Sequence, residues 1–448
     1  MRRFTILAAA CAVAFVFASS AHAGPRMYFG FLDDTSFRWN ADREGALDAA
    51  RGANASVLRT IVHWDHVAPE RPLRASSPWD PAYNFDDLDE FVRGAQQRGF
   101  EVLLTIWGTP AWANGGAAPN VPPTDADDFR EFTRAVALRY SGLFPGYPFA
   151  RFISIWNEPN SPRFLAADDR AAAYAKLAAA GYDGAKAGSP GALVAIGETA
   201  SRHCPATFMQ AVAKADPELR FDAWAHHPYP PTGDESPDAR AQWPDVGLQE
   251  LGRFGDELDE AFGRTDVPLW VSEYAESTTA VTPVQQALDL RRTVELAARV
   301  PRVQMLVWLM LRDHPGEPWQ SGLLGKPAYV AFRRAARAYD PRNARVEVDP
   351  NAPRHVVRVP ALELRWHIPA RAGVGIRYTL SACGRSVKTG LAGAPMQADG
   401  WVPVRLAFRA RPTVRYRLDV EIEDVHGFSV RRRLELVPQG TARARCKL

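Results

Sequence analysis

The chain has 448 residues, of which 46% are hydrophobic, 23% charged and 10% aromatic; this excludes a disordered, collagen-like or disulfide-scaffold protein and is enough to bury a large core. A formal net charge of +3, from 54 basic and 51 acidic residues, is too small a basic excess for a nucleic-acid binder. At roughly 100 to 200 residues per domain, the length suits two or three domains, or one large barrel with a small companion.

Arg2 and Arg3 precede an apolar run at 4–18, and Ala21-His22-Ala23 supplies small residues for cleavage. That is the three-part pattern of a secretory signal peptide, so segment 1–23 is expected to be removed and the protein secreted, to an extracellular or periplasmic location. The run is shorter than the roughly 20 residues a spanning helix needs, and no membrane span is expected later. Loss of Cys11 leaves Cys204, Cys383 and Cys446; in an oxidising compartment the last two can pair, with Cys204 a free thiol.

From 24 to 340 the sequence alternates strand-like and helix-like stretches, the signature of a parallel βα architecture. Strands are expected at 27–31, 56–62, 101–107, 152–156, 193–197, 223–227, 269–272 and 304–310. Helices are expected at 86–98, 125–140, 166–186, 281–300 and 326–339, several opened by Asp or Thr in capping positions. Eight such units predict a (β/α)8 TIM barrel. After Asp340-Pro341-Arg342-Asn343 the helical period vanishes. Short alternating segments at 354–359, 362–366, 374–380, 402–408, 416–422 and 428–436 predict a C-terminal all-β sandwich spanning 341–448. The run Arg431 to Arg433 lies in one of them and reads as a solvated edge.

Charge divides at the same boundary. Residues 341–448 carry 20 basic against 9 acidic side chains, and residues 24–340 carry 32 against 42. Opposed charges either dock the two domains on each other or leave the basic one to tether the protein to an anionic cell-surface polymer; binding that fades with salt would mark the tether.

In a βα barrel, chemistry sits at the C-terminal strand ends. The fourth expected strand runs into Trp156-Asn157-Glu158-Pro159-Asn160 and the seventh into Ser272-Glu273-Tyr274. Two carboxylates facing each other across a barrel mouth are what glycoside hydrolysis requires. One protonates the leaving oxygen while the other attacks the anomeric carbon, at about 5 to 5.5 Å separation, or activates water at about 6.5 to 9.5 Å.

These two motifs together resemble the glycoside hydrolases of clan A, along nearly the whole barrel. More particularly, Gly108-Thr109-Pro110-Ala111-Trp112-Ala113-Asn114, the helix start from Pro122-Pro123 to Asp128-Phe129, and Arg139-Tyr140 ahead of the fourth strand are similar to family 39 and related bacterial exopolysaccharide glycosidases. There is a further likeness to family 5 cellulase-type enzymes. The resemblance implies a retaining mechanism through a covalent glycosyl-enzyme on a polysaccharide or oligosaccharide. In it Glu158 is the general acid/base, Glu273 the nucleophile, and Asn157 the partner of the sugar 2-hydroxyl. It further implies that Arg59 supports the nucleophile, that Tyr229 hydrogen-bonds it, that His227 lies near the acid/base, and that Trp308 forms the platform under the innermost sugar. Trp112 joins Trp39, Trp64, Trp107, Trp270, Tyr274 and Trp319 as aromatic residues from which sugar subsites are drawn.

Asp33, Asp34, Glu198, Asp313 and His314 fit either sugar-binding or loop-capping roles, and Glu276 is the nearest competitor to Glu273. No HExxH or paired CxxC spacing appears, and the resemblance implies neither metal nor cofactor. The barrel begins so near the expected mature N-terminus that an endo-acting cleft is expected rather than the accessory architecture of family 39 xylosidases. The alternative is a secreted, non-catalytic glycan-binding protein on the same scaffold.

Overall fold

A computed structural model describes residues 27–232, 235–339, 347–348, 361–367, 374–394, 401–407, 416–424 and 429–436. The expected signal segment and the expected strand at 354–359 lie outside them. Eight strands, β1 (Tyr28–Leu32), β2 (Val57–His63), β3 (Glu101–Trp107), β4 (Phe152–Ile155), β5 (Leu193–Ala200), β6 (Ala223–His227), β7 (Leu269–Tyr274) and β8 (Val303–Leu309), form a closed barrel in chain order. Every neighbouring pair is parallel, including β1 with β8.

The helices are α1 (Asp34–Phe37), α2 (Arg43–Gly52), α3 (Trp64–Val67), α4 (Asp86–Gln97), α5 (Ala126–Arg139), α6 (Arg170–Gly188), α7 (Pro205–Ala215), α8 (Leu251–Ala261), α9 (Pro283–Ala298) and α10 (Pro327–Tyr339). The starts of α1, α5, α6 and α9 carry side-chain caps. Asp169 accepts from Ala172 N and begins α6 four residues later than the alternation alone suggested. Thr282 accepts from Gln285 N ahead of Pro283, whose missing N–H is no loss in a first turn. No helix of the described residues is long and apolar enough to cross a membrane.

Strand alternation divides the apolar side chains between two layers. Tyr28, Leu32, Val57, Leu103, Phe152, Ala195, Ala223, Ala225, Trp270, Met305 and Val307 fill the barrel. Phe152 sits edge-on between Tyr28 and Trp270, each centroid 5.1 Å away. The odd-numbered set on β2 that begins with Val57 continues through Arg59 and Ile61 to His63, which brings an arginine into the interior. The opposite faces, among them Phe29, Phe31, Leu58, Ile153, Ile196, Val271 and Leu306, pack under the helices. Each such fully buried large side chain is worth about 1.5–3 kcal/mol against exposure.

Beyond residue 340 the elements formed by the described residues are all β-strands. β10 (Ala361–His367) pairs antiparallel with β13 (Trp401–Ala407) and β9 (Glu347–Val348). A four-stranded antiparallel sheet runs β12-β11-β14-β15, from β11 (Val374–Ala382), β12 (Arg385–Ala394), β14 (Tyr416–Asp424) and β15 (Ser429–Leu436). Sequence reasoning passed over β12, because Arg-Ser-Val-Lys-Thr-Gly-Leu-Ala-Gly-Ala does not alternate apolar with polar residues; it is paired through β11. The arginine run lies in β15, the end strand of that sheet, with Arg431 opposite Glu421 and Arg433 opposite Asp419. Cys383 is disulfide-bonded and Cys204 is an exposed free thiol. Cys446, the expected partner of Cys383, lies outside the described residues.

Candidate active site

The polar layer at the C-terminal end of the barrel is organised around Arg59, which is fully buried. A buried guanidinium must find partners for its whole donor fork. Here Nε donates to Thr105 Oγ1 at 2.9 Å, Nη1 to Glu273 Oε2 at 2.9 Å and to the Ser272 carbonyl at 3.2 Å, and Nη2 to Asn157 Oδ1 at 2.9 Å. Nη2 also stands 3.2 Å from Glu198 Oε2. One side chain from β2 therefore gathers residues following β4 and residues on β5 and β7.

Alternation alone would not bring all of those carboxylates inward. On β7, Trp270 faces the barrel and Val271 the helices, so Ser272 is the next inward residue and Glu273 should turn away. The pairing of β7 with β8 shifts register between Val271 and Tyr274, and a bulge of this kind re-aims a side chain. Ser272 and Glu273 both reach the polar layer. On β5 the register against β6 shifts between Ile196 and Thr199, and Glu198 sits there in left-handed backbone, φ 45°. Gly197 precedes it at φ 95°, where an added Cβ would fall 2.4 Å from the Trp224 indole. After β4 the left-handed residues are Trp156, φ 69°, and Glu158, φ 44°. Trp156 thereby leaves the interior and donates to the Phe164 carbonyl at 2.8 Å, and the Glu158 N–H bonds the Glu198 carbonyl at 2.9 Å. Left-handed backbone at non-glycine residues costs about 1–3 kcal/mol each and concentrates where function holds it.

Glu158, His227 and Glu273 each present a side-chain atom within 4.8 Å of the others. Tyr229 donates its hydroxyl to Glu273 Oε1 at 3.1 Å. Burial, then the Glu273 and Glu158 carboxylates, push the Tyr229 phenol well above its ordinary range, so it stays a donor. Because Asn157 Oδ1 receives Arg59, the amide's NH2 remains as a donor for something else.

His227 is fully buried, with Nδ1 3.0 Å from Glu158 Oε1 and Nε2 2.7 Å from Glu198 Oε2. Burial alone would lower its pKa, but the Glu273 charge and the hydrogen bonds with Glu158 and Glu198 raise it to about 9. Burial would likewise raise Glu198. The Arg59 charge and the His227 contacts outweigh it and hold Glu198 near 2, while Ser272 Oγ donates to it at 2.6 Å. Glu198 is thus neither a loop cap nor an exposed sugar ligand. It is a buried, ionised carboxylate bound to both cations of the cluster. The signal that could have found it is Gly197-Glu198 at the end of an apolar strand, a place for a turn with an acid on it.

One expectation, the sugar platform at Trp308, is corrected. Trp308 is fully buried and donates to the Ser321 carbonyl at 2.8 Å. It alternates with the inward Val307 and therefore packs under the helices, edge-on to Tyr274 at 5.9 Å, leaving no face for a sugar. Trp112 donates to the Ala68 carbonyl at 2.8 Å, and the Arg71 guanidinium lies 4.4 Å over its ring, so that face is covered. The aromatic ring beside the cluster is instead Trp319, half-buried on the loop after β8 and 6.4 Å edge-on from Tyr229.

Other expected residues have structural partners. Asp33 accepts from Ser36, Leu311 and Arg312 N–H groups and lies 2.7 Å from His314 Nε2. Asp34 accepts from Thr60 and Ile61, and Asp313 is bound by Lys326. His226 is neutral, its pKa lowered to about 3 by burial. Glu276, the competitor to Glu273, is buried and accepts from the Tyr274 hydroxyl at 2.9 Å, away from the Arg59 fork. Burial and the Asp289 carboxylate raise it to about 9.

No protein-family model and no curated protein sequence matches the chain. Solved structures do resemble it. A family 39 glycoside hydrolase from the gut symbiont Bacteroides cellulosilyticus WH2 is 19% identical over 88% of this chain and 80% of its own, with a TM-score of 0.55. A monomeric beta-xylosidase from Caulobacter crescentus CB15 is 15% identical over 90% of this chain and 98% of its own, with a TM-score of 0.52. GH5_18 from Streptomyces cattleya, solved in complex with GlcNAc, is 17% identical over 71% and 81%, with a TM-score of 0.53. At these identities the likeness is one of fold, a closed barrel of eight parallel strands.

Proposed function

We propose that the protein is a retaining glycoside hydrolase acting on an oligosaccharide or polysaccharide. The observation that carries this reading is the approach of the two carboxylates, with side-chain oxygens of Glu158 and Glu273 within 4.8 Å of each other. So close an approach of two carboxylate oxygens suits direct attack. The similar structures from family 39 and from family 5 support the substrate class. The pattern at 1–23 supports export, which puts such an enzyme where polysaccharides are met.

In this mechanism Glu273, aimed by Arg59 and by the Tyr229 hydroxyl, forms a bond to the anomeric carbon as the bond to the leaving oxygen breaks. Glu158 delivers a proton to that oxygen. With one proton between them, Glu158 and His227 form a neutral pair whichever holds it, so His227 is a proton store 3.0 Å from the acid. Esterification removes the Glu273 charge. Glu158, now a carboxylate, takes a proton from the incoming water, which displaces Glu273 and restores the original anomeric configuration. The free Asn157 NH2 donates to the sugar 2-hydroxyl, and Trp319 offers the ring edge or face beside Tyr229 for C–H packing.

Incubation with a 2-deoxy-2-fluoro glycoside bearing an activated leaving group tests the reading. The expected result is a stable adduct on the peptide containing Glu273, with release of one leaving group per chain. Hydrolysis of a polysaccharide with the first-formed product in the inverted anomeric configuration overturns it.

A further inference from the structure

Among the described residues, one group of ligating side chains besides the carboxylate cluster comes together. β2 ends at His63 and the chain turns directly into the four-residue α3, so that His63, Asp65 and His66 fall on one side of the turn. Atoms of all three that can bind a metal lie within 4.8 Å of one another. Their contacts are not hydrogen bonds. His63 Nδ1 stands 3.9 Å from Asp65 Oδ1, and His66 Nε2 stands 3.6 Å from Asp65 Oδ2. Asp65 Oδ1 is buried without any hydrogen-bond partner, although an orphaned buried carboxylate oxygen is costly. The two imidazoles are near parallel, 17° between planes and 4.8 Å between centroids, an arrangement that like-natured rings do not adopt for hydrogen bonding. Gly108 helps to keep the space, since its Cβ would sit 2.8 Å from Asp65 Oδ1.

We propose that His63, Asp65 and His66 form a binding site for a first-row divalent transition metal ion, zinc in the first instance, placed at the rim of the barrel mouth. Two imidazoles and one carboxylate are a borderline donor set that suits Zn2+ and Co2+ and is poor for Ca2+ or Mg2+, which want oxygen throughout. Bond lengths of about 2.0–2.2 Å in a tetrahedron separate neighbouring ligand atoms by roughly 3.4 Å. The three atoms need close only slightly, and His66, 71% exposed, is free to do so. Three protein ligands leave a fourth position open to solvent. Arg59 and His63 share a strand and a face, so the ion stands roughly 13 Å further up the mouth than the arginine of the carboxylate cluster. His63 is edge-on to Trp107 at 5.6 Å, and Trp107 to Trp156 at 6.2 Å, so the ion's surroundings abut the end of β4. The open position takes water or an oxygen ligand, such as a carboxylate or a pair of adjacent hydroxyls on a molecule entering the mouth. The site is separate from the hydrolytic chemistry and does not depend on it.

The test is titration of the full-length, chelator-dialysed protein with Co2+ followed in the visible, and with Zn2+ in competition. The expected result is one Co2+ per chain with the intense bands of a four- or five-coordinate ion, displaced by Zn2+. Affinity should fall about tenfold or more in His66→Ala, an exposed position whose loss leaves the fold intact, and in Asp65→Asn. It should be unchanged in Glu158→Gln. Absence of saturable binding, binding that survives a folded His63→Gln/His66→Gln double variant, or binding lost in Glu158→Gln overturns the assignment; the last outcome places the ion in the carboxylate cluster instead.

Discussion

Replacing Glu198 by Gln removes a buried negative charge while keeping the side chain's size, and its effect should be read at His227. The imidazole titrates at about 9 because the Glu273 charge and its two carboxylate hydrogen bonds overcome its burial. Of these, the contact with Glu198 is the shorter, 2.7 Å against 3.0 Å with Glu158. A hydrogen bond to a charged partner contributes about 1.5–3 kcal/mol, and about 1.4 kcal/mol equals one pH unit. His227 should therefore titrate about 1–2 units lower in the variant. The sign for stability follows. A histidine raised above its ordinary value of 6.5 stabilises the fold fully below that pH, and the contribution is lost as pH rises through about 9; in the variant the loss comes earlier. The assay is the pH dependence of the His227 imidazole nitrogen shifts, which needs no substrate, beside the alkaline limb of kcat/KM, which should move down with it. Arg59 keeps Glu273 as a partner at 2.9 Å, so the variant should fold. A His227 midpoint that stays at the parent value refutes the reasoning.

Glu158→Gln should lose most turnover on substrates with poor leaving groups, keep the first step with activated aryl glycosides, and be rescued by azide as a glycosyl azide of retained configuration; product analysis by NMR checks this. Trp319→Ala should raise KM by up to about tenfold with kcat nearly unchanged, as expected for about 0.5–1.5 kcal/mol of ring packing, in steady-state assays. Glu276, raised from 4.5 to about 9 by burial and Asp289, binds an extra proton in the folded state across that interval, so its contribution falls steadily as pH rises between the two values. Glu276→Gln should remove this slope and raise the thermal midpoint by about 2–4 °C for each kcal/mol recovered, with the advantage growing from pH 5 to pH 9 in calorimetry.

The barrel was legible because each strand is an apolar run ending at a polar mouth, and because capping residues such as Thr282 and Asp125 mark helix starts. Arg59 follows from simple alternation along β2. Glu198 does not, because a register shift and a left-handed residue turn inward a side chain that a period of two assigns to the helices. Trp308 fails for the complementary reason. β8 keeps its period through Val307, so the residue after it faces out, and the loop ring Trp319 stands by the cluster instead. Asp33 read equally well as a sugar ligand or a cap, since its partners at 311, 312 and 314 lie too far along the chain for local pattern to show them. His63, Asp65 and His66 escaped notice because spacing rules for metal motifs describe helices and knuckles, and here a strand end and a turn bring the donors together.

Those distant partners of Asp33 bear on how the molecule is made. Its two carboxylate oxygens are taken by groups some 280 positions later, at |i−j| of 278, 279 and 281, across the seam where β1 meets β8. A chain emerging from its N-terminus carries this acid, 4% exposed when finished, through the synthesis of seven further strands with only the Ser36 N–H nearby to satisfy one of its oxygens. Any shorter product must either leave Asp33 in water or bury it with three of its four partners missing. The seam therefore acts as a proofreader of length: a barrel that lacks its last strand cannot close dry, and only the whole ring conceals the charge.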